Sequence, residues 1–310
     1  MAEKTYADIS IIGGINIDIE GCPYEELMYQ DSNPGKINIA FGGVGRNITE
    51  NIARMGGSVA MVSVAGDDFA GKGAKAQLEQ LGVDTQDVHL LPGQTSAMYL
   101  SILNKNNDME IAMCNMDILE NITPAFLDEK IERLRQSKMV ALDCNLKEEI
   151  LEYLTDKLSG VPLFLDPVSS PKAERIKNLI GRFHTIKPNR QEAEIISGLT
   201  IDTDEDLRQA GNWFLDRGVK RVYISLSEKG VYYKDKDSEG FIEPNIDRIV
   251  SATGAGDAFS AAILLGSVRG MSTADIARLG MAAASIAMEA RTAVNENITM
   301  DKIVRRMTNV

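Results

Sequence analysis

Short runs of β-branched and aliphatic residues alternate along this chain with longer amphipathic stretches, the pattern of βαβ units wound around a mainly parallel sheet. Residues 9–12, 59–64, 139–142, 161–165 and 222–225 predict strands, and residues 48–55, 74–81, 126–135, 148–158 and 207–217 predict the helices between them. Thr123 before Pro124 marks a helix start, because the missing proline N–H costs nothing in a first turn.

Two segments break the alternation, residues 15–41 and 95–113. In the second, the apolar runs 99–103 and 110–113 flank the turn-forming Asn104-Lys105-Asn106-Asn107-Asp108. Both segments predict antiparallel excursions. Meeting in space, they would form a small sheet over the strand ends, where open α/β folds bind ligands. The expectation is one α/β domain over residues 1–310 with a β lid inserted in it.

Composition narrows the function. The 310 residues carry 33 Lys and Arg against 45 Asp and Glu, a net charge of −12 without a basic block. Nucleic-acid polymers, bound through neutralised phosphates, are excluded as partners, whereas a single nucleoside or nucleotide is not. Cys22, Cys114 and Cys144 show neither a disulfide nor a zinc spacing. The N-terminus shows no leader pattern, and the longest apolar stretch, near residues 258–268, is shorter than the roughly 18 residues that span a bilayer. A cytoplasmic protein without membrane partners is expected.

Several motifs are decoys. Gly66-Asp-Asp-Phe-Ala-Gly-Lys-Gly73 has the P-loop spacing, but Gly73 stands where a hydroxyl should hold Mg²⁺, and Asp67 and Asp68 would repel phosphate. Gly43-Val-Gly45 and Gly254-Ala-Gly256 lack the third glycine of a dinucleotide fingerprint. His89 and His184 stand in unrelated contexts, which argues against a catalytic triad or a histidine metal cluster.

Chemistry concentrates in three glycine-rich stretches. In Ser251-Ala-Thr-Gly-Ala-Gly-Asp-Ala-Phe259, Gly254, Ala255 and Gly256 precede a helix of small residues, so their N–H groups and the helix dipole form an anion hole suited to a transferring phosphoryl group. Asp257 at that place is either a base for an attacking hydroxyl or a helix cap. In Phe41-Gly-Gly-Val-Gly-Arg-Asn-Ile-Thr-Glu50, small residues let a polyol approach the backbone, and Asn47 can both donate and accept. In Gly13-Gly-Ile-Asn-Ile-Asp18, the carboxylate of Asp18 suits two neighbouring hydroxyls.

Together these residues resemble the PfkB or ribokinase-like family of carbohydrate and nucleoside kinases. Its first signature is met by Gly42-Gly43-Val44-Gly45-Arg46-Asn47-Ile48-Thr49 with Gly56 and Gly66, and its second by Gly254-Ala255-Gly256-Asp257 with Ser260, Ala261 and Ala262. Lys187-Pro188-Asn189-Arg190-Gln191-Glu192 is similar to the family's N-x-x-E motif. The resemblance implies a three-layer α/β/α fold and ATP and Mg²⁺ as cofactors. It implies Asp257 as catalytic base, Gly254, Ala255 and Gly256 as anion hole, and Asn16, Asp18, Gly42, Gly43, Asn47 and Asp166 as substrate-binding residues. Asn189 and Glu192 would hold Mg²⁺ through water, with Lys187, Asn189, Ser225, Ser227 and Gly230 beside the nucleotide. The chain departs from the pattern at Ala252, at Ser227, which replaces a common glycine, and at Ser251, where many relatives place an Asp that helps bind a monovalent cation. A requirement for that cation is thereby put in doubt.

Within the family, three local features resemble pseudouridine kinases: Gly43-Val-Gly-Arg-Asn-Ile-Thr-Glu-Asn51, Asn115-Met-Asp117 followed by Thr123-Pro124, and Asp166-Pro-Val-Ser-Ser170 followed by Lys172, with Thr292-Ala-Val-Asn295 as a looser echo. They imply phosphorylation of the ribose 5′-hydroxyl of pseudouridine. Asn115 and Asp117 either read the uracil ring or form an ordinary turn. Ribose, adenosine, inosine and 2-keto-3-deoxygluconate are the rival substrates, and a non-catalytic nucleoside sensor is the rival role. A sugar acid would want a cationic clamp, yet Lys36 and Lys105 are the only cations of the two lid segments, which favours a neutral substrate. The exposed small sheet invites a homodimer.

Overall fold

The computed structural model describes residues 6–106, 108–245 and 248–308; Asn107 of the expected turn lies outside them. The strands are β1 (Ile9–Ile12), β2 (Asn16–Pro23), β3 (Gly35–Gly42), β4 (Val59–Gly66), β5 (Asp84–Leu91), β6 (Ala97–Leu103), β7 (Met109–Asn115), β8 (Met139–Asp143), β9 (Leu163–Asp166), β10 (Thr185–Ile186), β11 (Arg221–Ser225), β12 (Val231–Lys234) and β13 (Glu239–Ile242). Nine of them form the main sheet in the order β13-β12-β11-β10-β9-β8-β1-β4-β5. It is parallel except for the β11-β12-β13 edge. β1 lies near its centre, with Ile9 in register with Val59 on one side and Met139 on the other.

Helices cover both faces, as a parallel sheet requires. Alternate residues of each strand serve opposite layers: Ile9, Ile11, Met61, Met139 and Ala141 join the core beneath the helices Val44–Arg54, Ala255–Val268 and Thr273–Ala287, while Val62, Val64, Val140 and Leu142 join the core beneath Glu148–Lys157 and Asp204–Asp216. Ala255–Val268 is buried almost all round, and its small residues let its neighbours approach closely. The mainly parallel sheet is the one the alternation predicts, and the three-layer α/β/α architecture is the one the family resemblance implies.

Each excursion is an antiparallel hairpin, β2 with β3 and β6 with β7, and the two join through a parallel β2/β6 pair into a four-stranded sheet, β3-β2-β6-β7. The expected helix at 126–135 is two short helices, Pro124–Asp128 and Ile131–Leu134. At the break the buried Lys130 turns its ammonium onto the Phe126 carbonyl (2.8 Å), while its own N–H goes to Leu127 (2.8 Å). Thr123 caps the first helix as expected, accepting from the Phe126 N–H.

Candidate active site

Three strand ends and two helix starts converge at the carboxyl edge of the sheet. The turn after β1 carries Gly13 and Gly14 against the start of helix Val44–Arg54, where the Arg46 N–H donates to the Gly14 carbonyl (3.3 Å). Gly43 at that start has φ +101°, and a Cβ there would stand 2.4 Å from the Gly14 oxygen, so only glycine fits. Gly254 plays the same part before helix Ala255–Val268: its φ is +80°, and a Cβ would meet the Ala293 oxygen at 1.7 Å. No side chain caps this second helix, and among the described residues the N–H groups of Gly256 and Asp257 find no acceptor. These orphan donors suit an anion.

Asp257 does not cap its own helix. Its Oδ2 accepts from Asn47 Nδ2 at 2.9 Å, a bond between residues 210 positions apart. Arg46 fixes the Asn47 amide, since a guanidinium only donates and the atom facing it must be an oxygen: Arg46 Nη1 lies 2.9 Å from Asn47 Oδ1. Arg46, 3% exposed, is itself held by Glu50, by the Phe41 carbonyl (2.7 Å) and by Gln77 (2.6 Å). Orientation thus passes from a buried ion pair to the amide and on to the carboxylate. Burial pushes the half-buried Asp257 carboxyl up to about 7; Asn47's hydrogen bond and Lys187 pull it down, and the charges of Asp166 and Asp143 push it up. A carboxyl poised there can exchange a proton near neutral pH.

The residues expected to hold a polyol assemble beside it. Asn16 Nδ2 donates to Asp18 Oδ1 at 2.6 Å, and a Cβ on Gly42 would lie 2.1 Å from Asp18 Oδ2. Burial raises the Asp18 carboxyl above its ordinary value. Asn16, Asp18, Gly43 and Asn47 line a cavity of about 310 Å³ together with Tyr99, Met116, Leu119, Asn145, Val168 and Lys172. A larger cavity of about 580 Å³, by the C-terminal helix, is lined by Glu289, Asn295 and Lys302 and includes none of these groups.

Other expected site residues lie elsewhere. Asp166, at the end of β9, is 5% exposed and fully engaged: Oδ2 accepts from Ser260 Oγ (2.8 Å) and pairs with Lys187 Nζ (3.2 Å), and Oδ1 accepts from the Val168 N–H (3.0 Å). It is not among the residues that line the cavity. Burial alone would lower the Lys187 ammonium, but Asp166 and Glu192 outweigh it and hold the group above its ordinary value. A Cβ on Gly256 would lie 3.7 Å from Lys187 Nζ, so this buried cation borders the expected anion hole. Asn189 and Glu192 form a reciprocal capping box (2.9 and 2.8 Å) at the helix Arg190–Ser197. Their bonds use Asn189 Oδ1 and Glu192 Oε2, which leaves Nδ2 and Oε1 for water. Among the described residues no group of three metal-binding side chains forms, so Mg²⁺ fits here only through water and phosphate.

Asn189 bridges to Ser225 at the end of β11. Ser227, in the turn that follows, has φ +54°, the left-handed conformation a glycine would favour. Gly230 closes that turn at φ +89°, and a Cβ there would meet the Ile242 carbonyl oxygen at 2.0 Å. These residues, expected beside the nucleotide, all lie outside the 310 Å³ cavity. The Ser251 hydroxyl accepts the Thr253 N–H (3.1 Å). Asn115 and Asp117 are exposed, with Asn115 Oδ1 accepting the Asp117 N–H (3.0 Å) in a turn; Met116 between them is the residue that reaches the cavity. Asn145 and Lys172 escaped the sequence reading as site residues, although both follow the carboxyl ends of parallel strands, the place where such sheets bind ligands.

Residues 7–300 match the pfkB family carbohydrate kinase domain. The chain is 36% identical over 310 residues to the pseudouridine kinase of Escherichia coli K12, covering all of this chain and 98% of that one. A crystal structure of a candidate sugar kinase from Clostridium perfringens superposes with a TM-score of 0.90 at 33% identity, covering 99% and 96% of the two chains. Arabidopsis thaliana ribokinase, solved with ribose and ATP, has the same fold at a TM-score of 0.85 and 20% identity over 97% and 99%. The convergent glycine turns, the amide-linked aspartate and this full-length match lead to one assignment: the chain belongs to the PfkB family of sugar and nucleoside kinases, phosphotransferases that act on hydroxyl groups.

Proposed function

We propose that the protein transfers the γ-phosphoryl group of ATP to the ribose 5′-hydroxyl of pseudouridine, giving pseudouridine 5′-phosphate and ADP. The observation that carries this reading is the Asn47–Asp257 hydrogen bond at a helix N-terminus with free N–H donors, which joins the polyol cavity to an anion hole. The choice of pseudouridine is supported by the 36% identity to a pseudouridine kinase across the whole chain. In this reading Asp18, Asn16 and Asn47 hold the ribose hydroxyls against Gly42 and Gly43. Asp257 accepts the 5′-hydroxyl proton as that oxygen attacks the γ-phosphorus in line. The Gly254-Ala255-Gly256 turn receives the charge that develops on the phosphoryl oxygens, through the free N–H groups of Gly256 and Asp257 and backed by Lys187, while the Ala255 N–H is held by the Ala252 carbonyl (3.3 Å). Asn189 and Glu192 would hold Mg²⁺ through water, where it would neutralise the ATP phosphates, and Ser225, Ser227 and Gly230 border the nucleotide. The chain works as one kinase domain whose lid segments, 15–41 and 95–113, shield the reacting groups from water, in the cytoplasm where ATP is available.

A sugar acid is the second reading, favoured by one observation: Lys172 brings into the cavity a cation, which neither Lys36 nor Lys105 of the lid segments does. Purified protein with ATP and Mg²⁺ is offered pseudouridine, uridine, ribose, adenosine, inosine and 2-keto-3-deoxygluconate, with ADP release as readout. Preference for pseudouridine is expected; preference for another compound replaces the substrate, and no turnover of any overturns the reading.

We also propose a homodimer through the small sheet. The register puts Asp18, Ala40 and Tyr99 on one face and Ile19, Ile39, Leu100 and Met113 on the other. Ile39 and Met113 are 64% and 70% exposed, so this second face is an unburied apolar patch. Light scattering after size exclusion should give twice the chain mass, falling to one in Ile39→Lys; a monomeric unaltered chain refutes the pairing.

A further inference from the structure

The polyol residues occupy one part of the 310 Å³ cavity, and Asn145 and Lys172 add a second polar group from the segments that follow β8 and β9. Lys172 Nζ donates to Asn145 Oδ1. The lysine is half-buried, and among the described residues no carboxylate forms an ion pair with it. The charge of the buried Asp143 acts on this ammonium from a distance, but no carboxylate of the described residues contacts it directly, so a partly dehydrated ammonium still gains from further acceptors. Because an ammonium only donates, the Asn145 atom facing it is the amide oxygen. That oxygen keeps one lone pair, and the ammonium keeps two protons. Asn145 is anchored through its own N–H to Asp143 Oδ1 at 2.8 Å. Between Asp166 and Lys172, Val168 adopts φ +69° and also lines the cavity. A β-branched residue in that conformation is strained, and such strain gathers where side chains are held for a ligand.

We infer that Lys172 and Asn145 read the base of the nucleoside, Lys172 Nζ donating to a ring carbonyl and Asn145 Oδ1 accepting from the adjacent ring N–H. This rests on the nucleoside reading above and names the residues that separate pseudouridine from uridine. In pseudouridine the ribose is attached to C5, so N1–H lies beside the C2 carbonyl. In uridine the corresponding edge shows C5–H beside the C4 carbonyl. An acceptor next to a donor complements the first edge, whereas the second leaves the Asn145 oxygen facing a C–H, at the cost of an unmade hydrogen bond. Tyr99, Met116, Leu119 and Val168 supply apolar surface for the ring.

The test compares kcat and KM for pseudouridine and uridine in the unaltered chain, Lys172→Met and Asn145→Ala, with thermal unfolding of each. Lys172→Met should raise KM for pseudouridine roughly 10–100-fold, the range for a hydrogen bond to a charged group, with far less change in kcat. Asn145→Ala should bring the pseudouridine-to-uridine ratio of kcat/KM toward one. N1-methylpseudouridine, which lacks the N–H, needs no variant and should lose at least about tenfold with the unaltered chain. A chain that prefers pseudouridine while the methylated analogue and both variants behave normally overturns this inference alone. A chain idle on pseudouridine overturns it with the reading beneath it. Preferential turnover of a sugar acid that Lys172→Met abolishes assigns the lysine to a carboxylate instead.

Discussion

Asp257→Asn removes the proton acceptor while preserving the side-chain size and an oxygen for the 2.9 Å bond from Asn47. With a carboxyl pushed up to about 7, about one-eleventh of the unaltered molecules carry the ionised base at pH 6 and about ten-elevenths at pH 8, so kcat/KM should rise about tenfold between them. In the variant that rise should vanish and kcat should fall by about 10²–10⁴-fold, the span of general-base catalysis. A second readout separates chemistry from folding. A carboxyl raised by the fold adds stability below its unfolded value, and that stability is lost as pH rises through about 7. The neutral amide loses nothing over that range. The melting temperature of Asp257→Asn relative to the unaltered chain should therefore increase from pH 5 to pH 8. Steady-state ADP release across pH, with melting curves in the same buffers, measures both. Near-normal turnover by the variant, or a pH profile that survives the substitution, refutes the assignment of the base.

Three further outcomes follow from the same geometry. Asn47→Ala should raise KM for the sugar and move the acidic limb of the pH profile to higher pH, because the amide's hydrogen bond lowers the Asp257 carboxyl; an unmoved limb argues against that link. Gly42→Ala places a methyl 2.1 Å from Asp18 Oδ2, so isothermal titration should show weakened nucleoside binding in a chain whose circular dichroism is unchanged. Arg46→Met leaves Glu50, 2% exposed, with only Arg54 as cationic partner, and should cost about 3 kcal/mol in urea unfolding, the scale for breaking a buried ion pair; a loss below about 1 kcal/mol would show the network to be dispensable.

The sequence by itself determines what is local. Strands buried on both faces are near-continuous apolar runs, which is why β1, β4, β8, β9 and β11 are legible with only small shifts at their ends. Glycines at positive φ announce the turns at Gly43 and Gly254, because a Cβ at either would also clash with a backbone oxygen. β5 mixes buried and exposed positions, two-residue β10 carries no period, and β12 and β13 are only four residues each, so none of these is legible in the sequence. The tertiary structure decides what depends on distant partners. Lys130 breaks a helix that its own periodicity supports, because its ammonium takes the Phe126 carbonyl. The two hairpins become one sheet through a parallel β2/β6 pair that no turn chemistry could specify. Arg46, within a recognisable motif, reveals its part only when burial forces its donors onto Asn47 and Glu50. Lys172 meets Asn145 across 27 positions, and Asp257 meets Asn47 across 210. Such meetings are set by how strands order in the sheet, a consequence of packing the whole chain, whereas a motif records only what neighbouring residues do to one another.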